Sequence, residues 1–92
     1  LITLTEKMKM VTIYGNESCV FCLKAKKLLE RFELKYEWRD TDEPDIFEEL
    51  KLRYPDAKTI PQIWWRKTHI GGYTELVAEI ENTLGGYGEQ RI

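Results

Sequence analysis

Apolar residues recur along this chain in two rhythms, and each change of rhythm marks an element. Met10-Val11-Thr12-Ile13-Tyr14 is apolar and β-rich, suited to a buried strand. Gly15-Asn16-Glu17-Ser18 reads as a turn, with Ser18 a candidate N-cap. From Phe21 to Phe32 the period becomes helical: Ala25, Leu28, Leu29 and Phe32 fall on one face, and Lys24, Lys26, Lys27, Glu30 and Arg31 face water. Tyr36-Glu37-Trp38-Arg39 alternates as a second strand. Thr41 or Asp42 is expected to cap a short helix through Glu43–Leu52, with Pro44 in its first turn and Ile46, Phe47 and Leu50 inward. After a loop over Tyr54–Lys58, Gln62–Arg66 and Thr68–Ile70 predict a hairpin around Lys67. Gly71-Gly72 breaks the chain, and a last helix from about Thr74 to Leu84 puts Leu76, Val77, Ile80 and Leu84 on one stripe.

The resulting order is β-α-β-α-β-β-α, an α/β chain. Two early strands joined by a helix imply a parallel crossover, and the later hairpin must be antiparallel. A four-stranded mixed sheet flanked by three helices follows. Alternation along Trp64-Trp65 should bury one ring and expose the other. Residues 1–9 read as a flexible leader, 10–84 as the domain, and 85–92, after Gly85-Gly86, as a loose tail.

Composition narrows the function classes. At 92 residues the chain suits one domain. Its net charge of −2 gives no general pull toward nucleic acid or an anionic membrane. No apolar run approaches the ~18 residues of a membrane span, and the first ten residues lack a signal-peptide core. The two cysteines form one Cys-x-x-Cys, which points to a reducing compartment, the cytoplasm, and a redox motif. A monomer is expected.

Cys19-Val20-Phe21-Cys22 carries the chemistry. Residues at i and i+3 of a helix have Cβ atoms about 5–6 Å apart, close enough for a disulfide to open and close without unfolding anything. The motif lies at the first strand-to-helix turn, where a helix start places about half a positive charge and unpaired N–H groups beside Cys19. Both favour thiolate over thiol. Cys19 is therefore the expected nucleophile, and Cys22, one turn in and covered, the resolving thiol. Lowering a thiol pKa by about 3 from ~8.5 raises the neutral-pH thiolate fraction about 30-fold, while a Brønsted slope of ~0.4–0.5 removes roughly 15–30-fold of nucleophilicity. Attack gains little; the main gain is a better leaving group. Glu17 works against the dipole. Cys-x-x-Cys also fits half of a zinc site, but only His69 offers a third ligand, so no metal is expected.

Thr59-Ile60-Pro61-Gln62-Ile63 and His69-Ile70-Gly71-Gly72-Tyr73-Thr74-Glu75 follow at intervals that match one family. Singly, each segment has a duller reading: a buried thiol pair, a loop, a strand-to-helix turn. Together they resemble a glutaredoxin, of the thioredoxin superfamily, from about Met10 to Leu84. The resemblance implies a thioredoxin-like fold and a dithiol, glutathione-dependent thiol–disulfide oxidoreductase. Its partners would be glutathione and disulfide-bearing client proteins, ribonucleotide reductase among them.

It further implies that Pro61 is a cis-proline, that Ile60 offers its backbone to an extended sulfur-bearing peptide, and that Thr59 and Ile60 hold the cysteinyl part of glutathione. Gly72 would let the backbone approach the ligand. Tyr73, Thr74 and Glu75 would hold the γ-glutamyl end, Glu75 meeting its α-amino group, and Phe21 would supply an apolar wall. Lys51 or Arg53 is a guess, from placement, for the glycyl carboxylate.

Three departures from the family pattern matter. Val20 stands where proline is commonest, Glu75 where aspartate is usual, and no basic residue precedes Cys19. Val20 leaves a second function class open, a carrier of a [2Fe–2S] cluster held by two Cys19 thiolates and two glutathiones. A third reading keeps the enzyme and makes thioredoxin reductase its reductant.

Overall fold

The computed structural model describes residues 9–84, and both the leader and the tail expected from the sequence lie outside that range. The observed order is β1 (Lys9–Gly15), α1 (Val20–Arg31), β2 (Lys35–Asp40), α2 (Pro44–Arg53), β3 (Gln62–Trp65), β4 (Thr68–Gly71) and α3 (Tyr73–Leu84). These strands form one sheet in the order β2-β1-β3-β4. β1 runs parallel to β2 and antiparallel to β3, and β3 pairs antiparallel with β4. The mixed four-stranded sheet with three helices is the architecture the pattern of strands and helices predicts.

Strand alternation sends side chains to two separate cores. Val11, Ile13, Ile63 and Trp65 pack with Ala25, Leu28 and Leu29 of α1 and Leu76 and Ile80 of α3. Tyr14 and Trp64 face the other way and pack with Leu50 of α2 and Ala57. Both tryptophans are therefore buried, at 4 % and 8 % exposure, and the expectation of one exposed ring is overturned. Alternation separates the faces; it leaves a ring in water only where a face is bare, and helices cover both faces here.

Helix ends supply further corrections. Ser18 does not cap α1; Cys19 does. Neither Thr41 nor Asp42 caps α2: Glu43 takes the N-cap position without a side-chain bond, and Pro44 sits in the first turn. The Thr41 N–H instead donates to the Gly15 carbonyl at 2.9 Å, and Asp42 N–H donates to Oδ1 of Asp40 at 2.8 Å. Phe47, expected inward, is 51 % exposed. Ile46 and Leu50, a full turn apart, fill the contact with Tyr14 and Trp64, and Phe47 lies about 100° round the helix from Ile46.

A charged network ties α2 to the sheet. Tyr14 donates its hydroxyl to Glu49 and accepts from Arg53 at 3.0 Å, while Arg39 of β2 reaches both carboxylate oxygens of Glu49. The Tyr14 hydrogen bond, followed by the Arg39 bond, holds the Glu49 carboxyl below its usual range against the opposing effect of burial.

Candidate active site

The two cysteines sit where β1 ends and α1 begins. Cys19 has extended backbone, φ −95° and ψ 115°, and its Sγ accepts the Cys22 N–H at 3.1 Å. Such a bond is what a capping serine or threonine makes to the third helical residue, so the sulfur itself occupies the capping role. A group there receives an otherwise orphaned donor and the positive end of α1, and both stabilise it more as a thiolate. Glu17, the nearby acid, is offset by Lys26 at 3.4 Å.

Burial separates the two thiols. Cys22 is fully buried, whereas Cys19 is partly exposed. The Cα atoms are 5.1 Å apart and the sulfurs lie at disulfide distance. Gly15 makes room for this: a Cβ there would collide with the Cys22 side chain. The carboxyl end of β1 can thus lie directly against the inner sulfur.

The proline loop faces Cys19 from across the sheet end. The Ile60–Pro61 peptide is cis, and the Ile60 carbonyl oxygen lies 3.7 Å from the Cys19 Sγ. Beside it, Phe21, Thr59, Ile60, Pro61, Gly72, Tyr73, Thr74 and Glu75 line one groove of about 240 Å³. Three distant segments thereby meet in one groove, and one of its lining residues, Ile60, stands against the Cys19 sulfur. The Phe21 and Tyr73 rings form a wall, their centroids 5.9 Å apart, and Phe21 is half exposed.

At the other end of this groove α3 begins. Gly71 has φ +120°, a conformation that favours glycine, and a Cβ on it would stand 2.9 Å from the Glu75 side chain. The Glu75 carboxylate accepts the Gly72 N–H at 2.8 Å. That is the back-reaching half of a capping box, and the first-turn residues Tyr73, Thr74 and Glu75, whose N–H groups have no intrahelical partner, line the groove.

A second groove, about 390 Å³, opens on the α2 side of the same loop and is lined by Asn16, Thr41, Phe47, Lys51, Lys58, Thr59 and Ile60 among others. Lys51 is there, its Nζ donating to the Ala57 carbonyl at 2.7 Å. Arg53 is not: its guanidinium lies 4.2 Å over the Trp64 ring and bonds Tyr14. Lys58, which the sequence did not single out, stands beside Thr59 in this groove.

Behind the proline loop lie Gln62 and His69, of which the sequence reading weighed only His69, as a third zinc ligand. Gln62 is the buried polar side chain among the described residues, and it bonds both Thr59 and His69. The imidazole is packed against Tyr54 rather than presented to the cysteines. Among the described residues no three His, Cys, Asp or Glu side chains are grouped to hold a metal ion. No described helix is long and apolar enough to cross a membrane.

Known proteins agree with this geometry. The glutaredoxin family model matches residues 11–70. A glutaredoxin of Pseudomonas aeruginosa is 38% identical over 72 residues, covering 77% of this chain and 84% of its own. The solved structure of reduced Escherichia coli glutaredoxin is 32% identical with a TM-score of 0.67, covering 83% of this chain and 98% of that one. A buckwheat glutaredoxin–glutathione complex shares the fold, with a TM-score of 0.65 at 22% identity over 79% of this chain and 68% of that one. A partly exposed sulfur at a helix start, a buried partner one turn in and a cis-proline opposite are the parts thiol–disulfide exchange requires, and with these matches they show that the chain belongs to the glutaredoxin family of thiol–disulfide oxidoreductases.

Proposed function

We propose that this oxidoreductase is glutathione-dependent and of the dithiol type, reducing both protein disulfides and glutathione mixed disulfides. The observation that carries the reading is the groove itself: an aromatic wall, a cis-proline backbone and the start of α3 converge in it, and the Ile60 carbonyl on its rim lies 3.7 Å from the Cys19 Sγ. An extended tripeptide fits these parts in order. Its cysteinyl backbone would pair with Ile60, its sulfur would meet Cys19, and its γ-glutamyl carboxylate would meet the first-turn N–H groups of α3. Glu75 would release Gly72 to meet the α-amino group. Lys51 is the proposed contact for the glycyl carboxylate, and Arg53, held over Trp64, is left to the fold. The buckwheat protein supports this, since the same fold was solved with glutathione.

Cys19 thiolate attacks one sulfur of the client disulfide, and the other client sulfur leaves as a thiolate. Cys22, deprotonated, then attacks the Cys19 sulfur, releasing the second client thiolate and closing the Cys19–Cys22 bond. One glutathione thiolate attacks Cys19 and expels Cys22. A second attacks the glutathione sulfur of that adduct, frees Cys19 and leaves as glutathione disulfide. Two glutathiones are oxidised for each client disulfide reduced. Clients with an accessible disulfide qualify, and ribonucleotide reductase is the one the resemblance suggests.

The test is a Cys22→Ser variant. A protein–glutathione adduct needs only Cys19, so deglutathionylation should persist while reduction of protein disulfides is lost; equal loss of both contradicts these roles. The cluster-carrier alternative predicts a coloured dimer after anaerobic reconstitution with iron, sulfide and glutathione, and a colourless monomer excludes it.

A further inference from the structure

Behind the cis-proline loop runs a polar chain that the exchange steps do not use. Gln62 opens β3 next to Pro61, with its carboxamide turned into the protein. A buried carboxamide must find partners at both ends, and this one does. Its Nε2 donates to the Thr59 carbonyl at 2.9 Å, with Thr59 Oγ1 at 3.4 Å. Its Oε1 lies 2.7 Å from the Nε2 of His69 in β4. An amide oxygen only accepts, so Nε2 of His69 carries the proton, and the neutral ring is the Nε2–H tautomer. The ring is held in place by Tyr54, at 4.1 Å between centroids, and by Trp64, at 4.6 Å. Burial and then the Arg53 charge push the His69 pKa down, with Glu75 opposing, which keeps the ring neutral at pH 7.

The geometry of a peptide unit turns this chain into an aiming device. Only the Ile60–Pro61 bond is cis among the described residues, so the Thr59–Ile60 unit is trans and planar. In a trans unit the carbonyl and the following N–H point opposite ways. With the Thr59 carbonyl bound back to Gln62, the Ile60 N–H is turned out toward the groove, and the next carbonyl, that of Ile60, stands 3.7 Å from the Cys19 Sγ.

We propose that His69 and Gln62 are positioning residues, a relay that clamps the Thr59–Ile60 peptide plane from behind and so aims the Ile60 N–H at the backbone of the incoming cysteinyl substrate. The ligand in this statement rests on the glutathione reading; the clamp does not.

Two near-isosteric variants of the full chain separate the parts. Gln62→Met keeps the volume and deletes every bond; His69→Phe keeps the stacked ring and deletes the donor. One well-aligned hydrogen bond corresponds to about a tenfold change in binding. With a glutathione mixed disulfide as substrate, Gln62→Met should raise KM about tenfold with kcat little changed, and His69→Phe should raise it less. Alkylation of Cys19 by iodoacetamide, which needs no Ile60 N–H, should stay within twofold. In the ligand-free protein, the Gln62 side-chain NH2 protons should exchange slowly with water as read by NMR, and should exchange measurably faster in His69→Phe, which frees the other end of the carboxamide, together with a shift of the Ile60 amide. A folded Gln62→Met variant with unchanged KM overturns the proposal. So do ordinary Gln62 NH2 protons in the parent protein. If the parent ignores glutathione adducts altogether, the glutathione reading fails, and the NMR signature still decides for or against the relay. If Gln62→Met does not fold, His69→Phe decides alone: an unchanged Gln62 NH2 exchange rate in it counts against the clamp, and a faster one supports it.

Discussion

At the scale of single residues the account turns on Cys19 acting as its own helix cap. Ser18 looked like the cap because hydroxyls usually fill that role, yet the helix starts one residue later and the thiol takes the N–H bond from Cys22. The chemistry of the motif was legible, and the bond that tunes it was not, because a one-residue shift in a helix start lies below what periodicity resolves. Charge at this sulfur should follow. In the reduced protein the pH midpoint for alkylation of Cys19 by iodoacetamide should fall below the ~8.5 of a free thiol. A midpoint at or above that value would mean that the donor and the α1 dipole contribute nothing. Cys22, fully buried, should react far more slowly throughout.

Elements show most clearly what pattern can and cannot foretell. Every strand and helix was legible because each carries one apolar face at its own period, and Ile13, Leu29, Leu50, Ile63 and Leu76 all landed in a core. Which neighbour covers a face was not legible, so the tryptophan ring expected in water is buried and Phe47, expected inward, is exposed. The Gln62–His69 contact escaped for a related reason: it joins residues seven apart through the β3–β4 pairing, whose register shifts between Ile63 and Trp64. Helix α1 carries a stability prediction. Beyond its C-cap, Phe32, the Glu33 N–H donates to the Glu30 carbonyl at 3.0 Å and the Leu34 N–H to that of Leu29 at 2.9 Å. This is a Schellman end, and Glu33 pays for it with φ 59°. Left-handed backbone costs a residue with a Cβ about 1–2 kcal/mol, so Glu33→Gly should raise the unfolding free energy by about 1 kcal/mol. An equilibrium denaturant titration measures this, and a loss of stability would show the αL cap to be misassigned.

For the whole molecule, the sheet brings together at one end what the sequence spreads from Cys19 to Glu75, and the three segments were legible through their spacing, which matches one family. Which of Lys51 and Arg53 reaches the proline loop was not, since that depends on how α2 lies on the sheet: Lys51 does, and Arg53 turns to Trp64. Charge is likewise uneven. The chain is net −2, yet at the site end Lys24 stands exposed in the second turn of α1, and Lys51 and Lys58 line the second groove against a single acid, Asp42. An anionic tripeptide should be steered toward this end, so kcat/KM for a glutathione adduct should fall several-fold from low salt to about 0.15 M, while alkylation by neutral iodoacetamide stays flat. Equal salt sensitivity of the two reactions would remove the electrostatic argument. The most direct measurement of the central claim is turnover of one protein disulfide with glutathione and glutathione reductase, set against turnover with thioredoxin reductase. Sustained reduction with glutathione and little with thioredoxin reductase is the predicted result. Reduction by thioredoxin reductase with none by glutathione would contradict the glutathione groove.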